Sequence, residues 1–339
     1  MLNVDKKDVD FLVTGNMVTE VNSIMARDFP LVDKIVASLD GIERVYFVAC
    51  GSPLCACQTA KQLFSLYSDI PCEAYSGWDF LDQAPAKLDR HCLVIGVSQS
   101  GTTQEVVDSV KLARARGAFT VALTNSASGN PLAEAVERVI GYGAECIWEA
   151  HLLLGFRFAM QLIRAAGPSP ELDALEADMQ KLPTVLERLV AETEEKSKVR
   201  ALGSLDWNLV YSVASGPLLP LAYKEGIITM LEFTWTNGSC ISAAEFRHGP
   251  LEVVDEKACY LILIGNDASR HTSVRAADFI RRYTKNVVVF DVLDYAEGLH
   301  PMLSPFILFV PLEYYFFYLA IGKDHNPDER RYYGGLAAY

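Results

Sequence analysis

Nine consecutive residues, Val97-Ser98-Gln99-Ser100-Gly101-Thr102-Thr103-Gln104-Glu105, bring four hydroxyl side chains and a glycine into one short stretch. Hydroxyls at Ser98, Ser100, Thr102 and Thr103 can donate to the oxygens of a phosphate, and Gly101 lets the main chain approach it closely. The flanking elements decide whether that chemistry is available. In front lies the apolar, β-branched run Cys92-Leu93-Val94-Ile95-Gly96-Val97, which predicts a buried strand. Behind, Val106, Val107, Val110, Leu112 and Ala113 recur near helical spacing, so a helix is expected from Thr102 or Thr103. The turn therefore falls at a helix N-terminus, where unpaired N–H groups and the positive end of the helix dipole favour an anion. The same residues also suit a plain N-cap that only starts the helix. The string is neither a P-loop nor a dinucleotide fingerprint.

The chain of 339 residues exceeds one typical domain, so two are expected. Half of it is hydrophobic and 22% is charged, a globular composition with ample core. A net charge of −13 argues against non-specific nucleic-acid binding, which needs basic surface. It leaves room for a small anion held by a local nest of N–H donors. No basic region precedes an apolar one between Met1 and Pro30, so no signal peptide is expected. The aromatic-aliphatic stretch Phe306 to Ile321 is broken by Pro311 and Glu313 and is short for a bilayer; it predicts a core strand followed by a helix. Eight cysteines, at 50, 55, 57, 72, 92, 146, 240 and 259, form no Cys-x-x-Cys pair. Reduced, buried thiols and a cytoplasmic location are expected, with no zinc site.

Residues 1–40 predict a helical arm, stopped by Asp40-Gly41. Residues 41–167 then read as a first α/β domain, with strands at Arg44–Cys50, Glu73–Tyr75, Leu93–Val97 and Thr120–Leu123, each leading to a helical stretch. Residues 168–204, rich in Glu, Lys, Leu and Ala, predict a helical connector. Residues 205–339 repeat the first pattern. Val45-Tyr46-Phe47-Val48-Ala49-Cys50-Gly51 is echoed by Val210-Tyr211-Ser212-Val213-Ala214-Ser215-Gly216, the strand after Cys92 by Tyr260–Ile264, and Thr120–Leu123 by Asn286–Phe290. A nearly constant offset of about 165 residues indicates an internal duplication. The second copy carries Gly265-Asn266-Asp267-Ala268-Ser269-Arg270 where the hydroxyl turn should be, and Asp267 would repel a phosphate. One anion site per chain is expected.

Strand, Ser-Gln-Ser-Gly-Thr-Thr and helix, duplicated in one chain, resemble the sugar isomerase (SIS) family. The resemblance implies two tandem flavodoxin-like three-layer αβα domains with parallel sheets, binding phosphosugars. It places Gly51, Ser52, Ser98, Gln99, Ser100 and Thr103 at the phosphosugar positions, with Ser215 in the repeated turn facing either the sugar or only its strand end. The chain is similar to the isomerase half of glucosamine-6-phosphate synthase, without an N-terminal nucleophilic Cys or a glutaminase domain. Three further strings, Leu231-Glu232-Phe233-Thr234-Trp235, Ala244-Glu245-Phe246-Arg247-His248-Gly249-Pro250 and the tail Asp328-Glu329-Arg330-Arg331-Tyr332-Tyr333 with Tyr339 last, resemble bacterial deglycases of 6-phosphorylated Amadori compounds. In those enzymes a Glu base precedes a His acid by sixteen residues, the spacing between Glu232 and His248. Two departures are visible. Ala244 replaces the usual Gly before the Glu, and Pro53, which has no N–H, stands where the family has a second small hydroxyl residue.

The chemistry implied needs a carboxylate to take a proton from C1 of a 1-amino-2-keto sugar, and a donor near its oxygen. No metal or organic cofactor is required. The resemblance makes Glu232 the base and His248 the acid, in a homodimer whose His reaches the neighbouring subunit's site. On its residues alone Glu232 ends the apolar run Ile227 to Leu231, so a part-buried carboxylate is expected. His248 before Gly249-Pro250 also fits a plain turn histidine, and Glu245 is expected to be structural. His325, Arg330 and Arg331 sit in a polar tail; folded over the cleft, an Arg of that tail would meet the substrate's carboxylate. Arg27 and Lys224 are further cations that the sequence leaves unassigned. The competing readings are an amino-sugar phosphate isomerase or deaminase, a non-catalytic phosphosugar sensor, and a flavodoxin-like nucleotide binder. Asp5, Asp8, Asp10, Asp28 and Asp33 weigh against a DNA-binding N-terminus.

Overall fold

The computed structural model describes residues 1–333 and 336–338. By internal compactness the chain forms two units, one of residues 15–183 and one of residues 1–14 together with 184–339.

The first unit holds a five-stranded, all-parallel sheet of β1 (Arg44–Ala49), β2 (Cys72–Tyr75), β3 (Cys92–Val97), β4 (Phe119–Thr124) and β5 (Arg138–Gly141), in the order β2-β1-β3-β4-β5. β3 is buried along its whole length, which explains its unbroken apolar run. On one face Tyr46, Val48 and Val94 pack with Phe80, Val106, Val107, Val110 and Leu132 from the helices Gly77–Gln83, Gln104–Ala115 and Pro131–Ala135. On the other lie the helices Ser52–Tyr67 and Ile147–Ala166, packed on each other. Residues 17–37 form a helical run, widened to a π turn at Ile24–Asp28. Glu20 holds the start of Ile147–Ala166, accepting from the N–H groups of Glu145 and Cys146 at 3.0 and 2.9 Å.

The second unit repeats the topology with one strand fewer. Its sheet is β7 (Asn237–Ser242), β6 (Leu209–Ala214), β8 (Cys259–Ile264) and β9 (Val287–Asp291), all parallel and in that order. Val213, Tyr260, Ile262 and Ile264 pack with Ala276, Ala277 and Ile280 of the helix Arg270–Ile280. The stretch Phe306 to Ile321, expected as strand then helix, is instead one helix, Ser304–Gly322, with Pro311 inside it. A proline in a helix costs a hydrogen bond. Here nearly every side chain from Ser304 to Ile321 is buried, and that burial outweighs the break. The helix is long and apolar enough to cross a membrane, but most of it lies inside this unit, where it packs on the helix Glu194–Leu202.

The N-terminal segment belongs to this unit through the chain's late residues. Leu2 N–H donates to the Ile321 carbonyl at 2.7 Å, Lys6 pairs with Glu194, Asp10 N–H donates to Asp328 at 3.0 Å, and Leu12 N–H donates to Glu313 at 3.0 Å.

Candidate functional site

The first unit's sheet reverses its winding at β1 and β3, and in such sheets ligands bind beyond the carboxyl ends of the two strands at the reversal. β1 and β3 run in register from Arg44↔Cys92 to Ala49↔Val97, so the turns after Ala49 and Val97 leave the sheet side by side. The first of these is Gly51, exposed at φ 63°, followed by the half-buried Ser52 at the start of its helix. Pro53 occupies the first turn of that helix, where its missing N–H costs no helical hydrogen bond.

The second turn is the hydroxyl string. The helix behind it starts at Gln104, with Thr103 as the capping residue. No side-chain oxygen caps it; the Thr103 hydroxyl instead shares a hydrogen bond of 2.8 Å with the buried Ser98 hydroxyl. The Ser100 and Thr102 hydroxyls are exposed and 2.7 Å apart. Gln99 is exposed, and its carbonyl accepts from Asn125 N–H at 3.0 Å and from the Thr124 hydroxyl at 3.1 Å. These bonds fix the turn's main chain while leaving the helix N-terminus open, which a simple N-cap would not do. Beside it, the Cys50 thiol donates to Glu105 at 3.4 Å, and burial pushes that thiol up to about 11, so it is no thiolate nucleophile.

Gly101 carries a specific constraint. It has φ 66°, and a Cβ there would lie 2.0 Å from Asn130 Oδ1. That oxygen caps the helix Pro131–Ala135 by accepting from Ala133 N–H at 2.9 Å. Gly101→Ala must adopt a left-handed conformation and displace this cap, at a combined cost of roughly 2–3 kcal/mol. Urea unfolding is expected to register that loss, accompanied by a raised KM for a sugar phosphate.

The equivalent place in the second unit is filled. The Ser215 hydroxyl lies 2.7 Å from the Ser273 hydroxyl and 2.9 Å from that of Ser269, while Asp267 accepts from Ser269 N–H at 2.8 Å. Ser215 is buried in this network, and the Asp267 carboxylate packs against Gly216 at the head of the turn.

A cavity of the second unit lies elsewhere. A pocket of about 330 Å³ is walled by Leu231, Glu232, Trp235, Thr236 and Asn237 on one side and by the tail residues Arg330 to Tyr333 on the other. Glu232 lies in the short helix Met230–Thr234, whose end is set by Trp235 in the left-handed region at φ 48°. Its side chain is 28% exposed, the expected part-buried carboxylate. The Tyr333 hydroxyl donates to one Glu232 oxygen at 3.0 Å, and Arg330 lies 3.8 Å from the other. The Glu232 charge in turn pushes the Tyr333 phenol upward, keeping it a donor. Arg331 stacks over the Trp235 ring at 3.8 Å from its centroid. His325 is buried with its ring 4.2 Å from that of Trp235, and does not line the pocket; burial pushes its imidazole downward. Tyr339 lies outside the described residues.

The two residues spaced sixteen apart are not brought together in one pocket. His248 is exposed in the turn after β7, its N–H bonded to the Glu245 carbonyl at 2.9 Å, and it does not line the Glu232 pocket. The two unassigned cations are committed elsewhere. Arg27 forms a bidentate pair with the buried Asp28 at 2.8 Å. Lys224 is buried, 2.9 Å from Glu225 and 3.1 Å from the Thr229 hydroxyl, so its ammonium does not face an open anion site. Tyr333 and Trp235 lay within matched strings but had no assigned role, because only folding of the tail reveals that both meet Glu232's pocket.

The SIS domain family matches residues 38–140, which span the hydroxyl turn. Along its full length the chain is 51% identical to the fructoselysine 6-phosphate deglycase of Escherichia coli, covering all of both chains. The chain belongs to the SIS family, among the fructosamine 6-phosphate deglycases. It is an enzyme of that family with two flavodoxin-like αβα domains. A fructosamine deglycase of Bacillus subtilis is 29% identical over 86% of this chain and 91% of its own. The crystal structure of a candidate phosphosugar isomerase from Bacillus subtilis superposes with a TM-score of 0.83 at 26% identity, covering 94% of this chain and 99% of that one.

Proposed function

We propose that this enzyme converts a fructosyl amino acid 6-phosphate and water into glucose 6-phosphate and the free amino acid. The observation that carries this reading is the Glu232 pocket: a carboxylate hydrogen-bonded by Tyr333 and flanked by guanidinium groups, in a chain half identical to a fructoselysine 6-phosphate deglycase. Ser52, Ser98, Ser100 and Thr103 hold the phosphate, with Gly51 and Gln99 contributing main-chain groups.

Glu232 removes a proton from C1 of the keto-amine, and the C1–H electron pair forms the C1=C2 bond of an enaminol. Returning a proton to C2 gives an imine between C1 and the amine nitrogen. Water adds to C1, and the C1–N bond breaks as the nitrogen leaves protonated. His248 supplies the proton at the sugar oxygen, and its exposure in the turn fits a histidine presented to the site of a second subunit in a homodimer. Its eight free cysteines suit a reducing compartment, and we place the enzyme in the cytoplasm.

The test is release of glucose 6-phosphate, coupled to its dehydrogenase, from a panel of 6-phospho-fructosyl amino acids with glucosamine 6-phosphate alongside. Turnover of the Amadori phosphates is expected. Turnover of glucosamine 6-phosphate alone, read as ammonia release and as fructose 6-phosphate after a hexose-phosphate isomerase is added to the coupling system, would favour the isomerase or deaminase reading, and binding without turnover of any compound would favour a sensor.

A further inference from the structure

The base and the amine-binding wall share one pocket, and this gives the tail a role in choosing the amine. The inference rests on the deglycase reading. A base that removes the C1 proton stands beside the nitrogen bonded to C1, whereas the phosphate lies at the far end of the hexose. The walls next to Glu232 therefore meet the substituent on nitrogen, which is the amino acid.

Two guanidinium groups line that wall, and Glu232 is the one carboxylate among the described residues lining it. They differ in what they already hold. Arg330 faces Glu232 at 3.8 Å, donates to the Pro327 and Glu329 carbonyls, and lies over the Phe233 ring at 5.5 Å. Arg331 stacks on Trp235 and makes no hydrogen bond or ion pair with any described residue. Stacking on a ring face holds a guanidinium flat while leaving its N–H edge free. A planar fork of donors beside an apolar ring matches a carboxylate in two parallel hydrogen bonds. The lining is locally cationic in a chain of net charge −13, so this wall opposes the overall field and favours an anionic group.

We infer that Arg331, held on Trp235, binds the carboxylate of the amino acid carried by the Amadori nitrogen, making the enzyme selective for glycated amino acids over glycated simple amines. A charge-assisted pair of this kind separates the two classes by about 10- to 100-fold in kcat/KM.

The experiment compares two substrates that differ by one carboxylate: 6-phospho-fructosyl lysine, linked through Nε, and the same compound made from 1,5-diaminopentane. Wild-type enzyme is expected to prefer the lysine compound by about 10- to 100-fold, mostly through KM. In Arg331→Gln that preference should collapse toward unity, and Arg331→Lys should keep part of it. Equal use of both compounds by the wild type overturns the inference. So does an Arg331→Gln enzyme that is slower on both with the ratio unchanged, which would make Arg331 a support for the tail. If the wild type releases glucose 6-phosphate from neither compound, the deglycase reading falls first and takes this inference with it. That result is distinct from equal use of both.

Discussion

Glu232→Gln is expected to lower kcat on 6-phosphorylated Amadori compounds by about 100- to 10,000-fold, the range that a single general base contributes. The amide keeps the shape of the carboxylate and an oxygen that Tyr333 can still donate to, so the pocket loses a proton acceptor and little else. The ion pair lost with Arg330 is 3.8 Å long and partly exposed, and such pairs contribute about 0–1 kcal/mol. An unfolding midpoint close to the wild type is therefore expected beside the loss of turnover. Steady-state kinetics at saturating substrate and a thermal melt check both halves. A variant retaining a tenth or more of wild-type kcat would remove Glu232 from the base position.

The largest effect on stability is expected at a buried lysine that does not line the pocket. Lys224 is buried with Glu225, lies over the Phe309 ring at 4.9 Å, and lowers the pKa of Glu313 electrostatically. Lys224→Met would leave buried carboxylates without their cation, and breaking such a pair costs about 3–5 kcal/mol. The loss should depend on pH. Burial first, and Glu225 after it, push Glu313 up to about 7, against the opposing effect of Lys224. A carboxyl raised on folding contributes stability that is fully present below its unfolded pKa near 4.5 and is lost as pH rises through about 7. Removing Lys224 raises Glu313 further, so the variant should suffer more at pH 8 than at pH 5.5. Denaturant melts at the two values test this; equal losses would show that Glu313 is not coupled to Lys224.

How far the fold could be read in advance followed the physics of each segment. β1, β3, β4, β6, β8 and β9 are visible as apolar, β-branched runs because most are central strands with helices on both faces. β5 and β7 are edge strands. Asn237-Gly238-Ser239-Cys240-Ile241-Ser242 is nowhere fully buried, and no run of apolar residues marks it. Ser304–Gly322 failed for the opposite reason: a helix buried on every side carries no 3.6-residue period, so Pro311 read as a boundary. At the site, the hydroxyl turn and its strand-to-helix setting were legible because all their determinants are local. The clasp of Tyr333 and Arg330 on Glu232 joins residues about a hundred positions apart, and no local pattern encodes it.

The second unit is assembled from both ends of the sequence, and this sets an order on its biosynthesis. Residues 1–14 leave the ribosome before the rest of this unit, and the Glu194, Glu313, Ile321 and Asp328 groups that hold them are made roughly 180 to 320 residues later. Residues 15–183 contain every strand of their own sheet and can fold while synthesis continues. Residues 1–14 must instead wait for these partners, the first of which is Glu194 and the last Asp328. Closing that loop therefore belongs among the late steps of folding, separate from assembly of the first sheet.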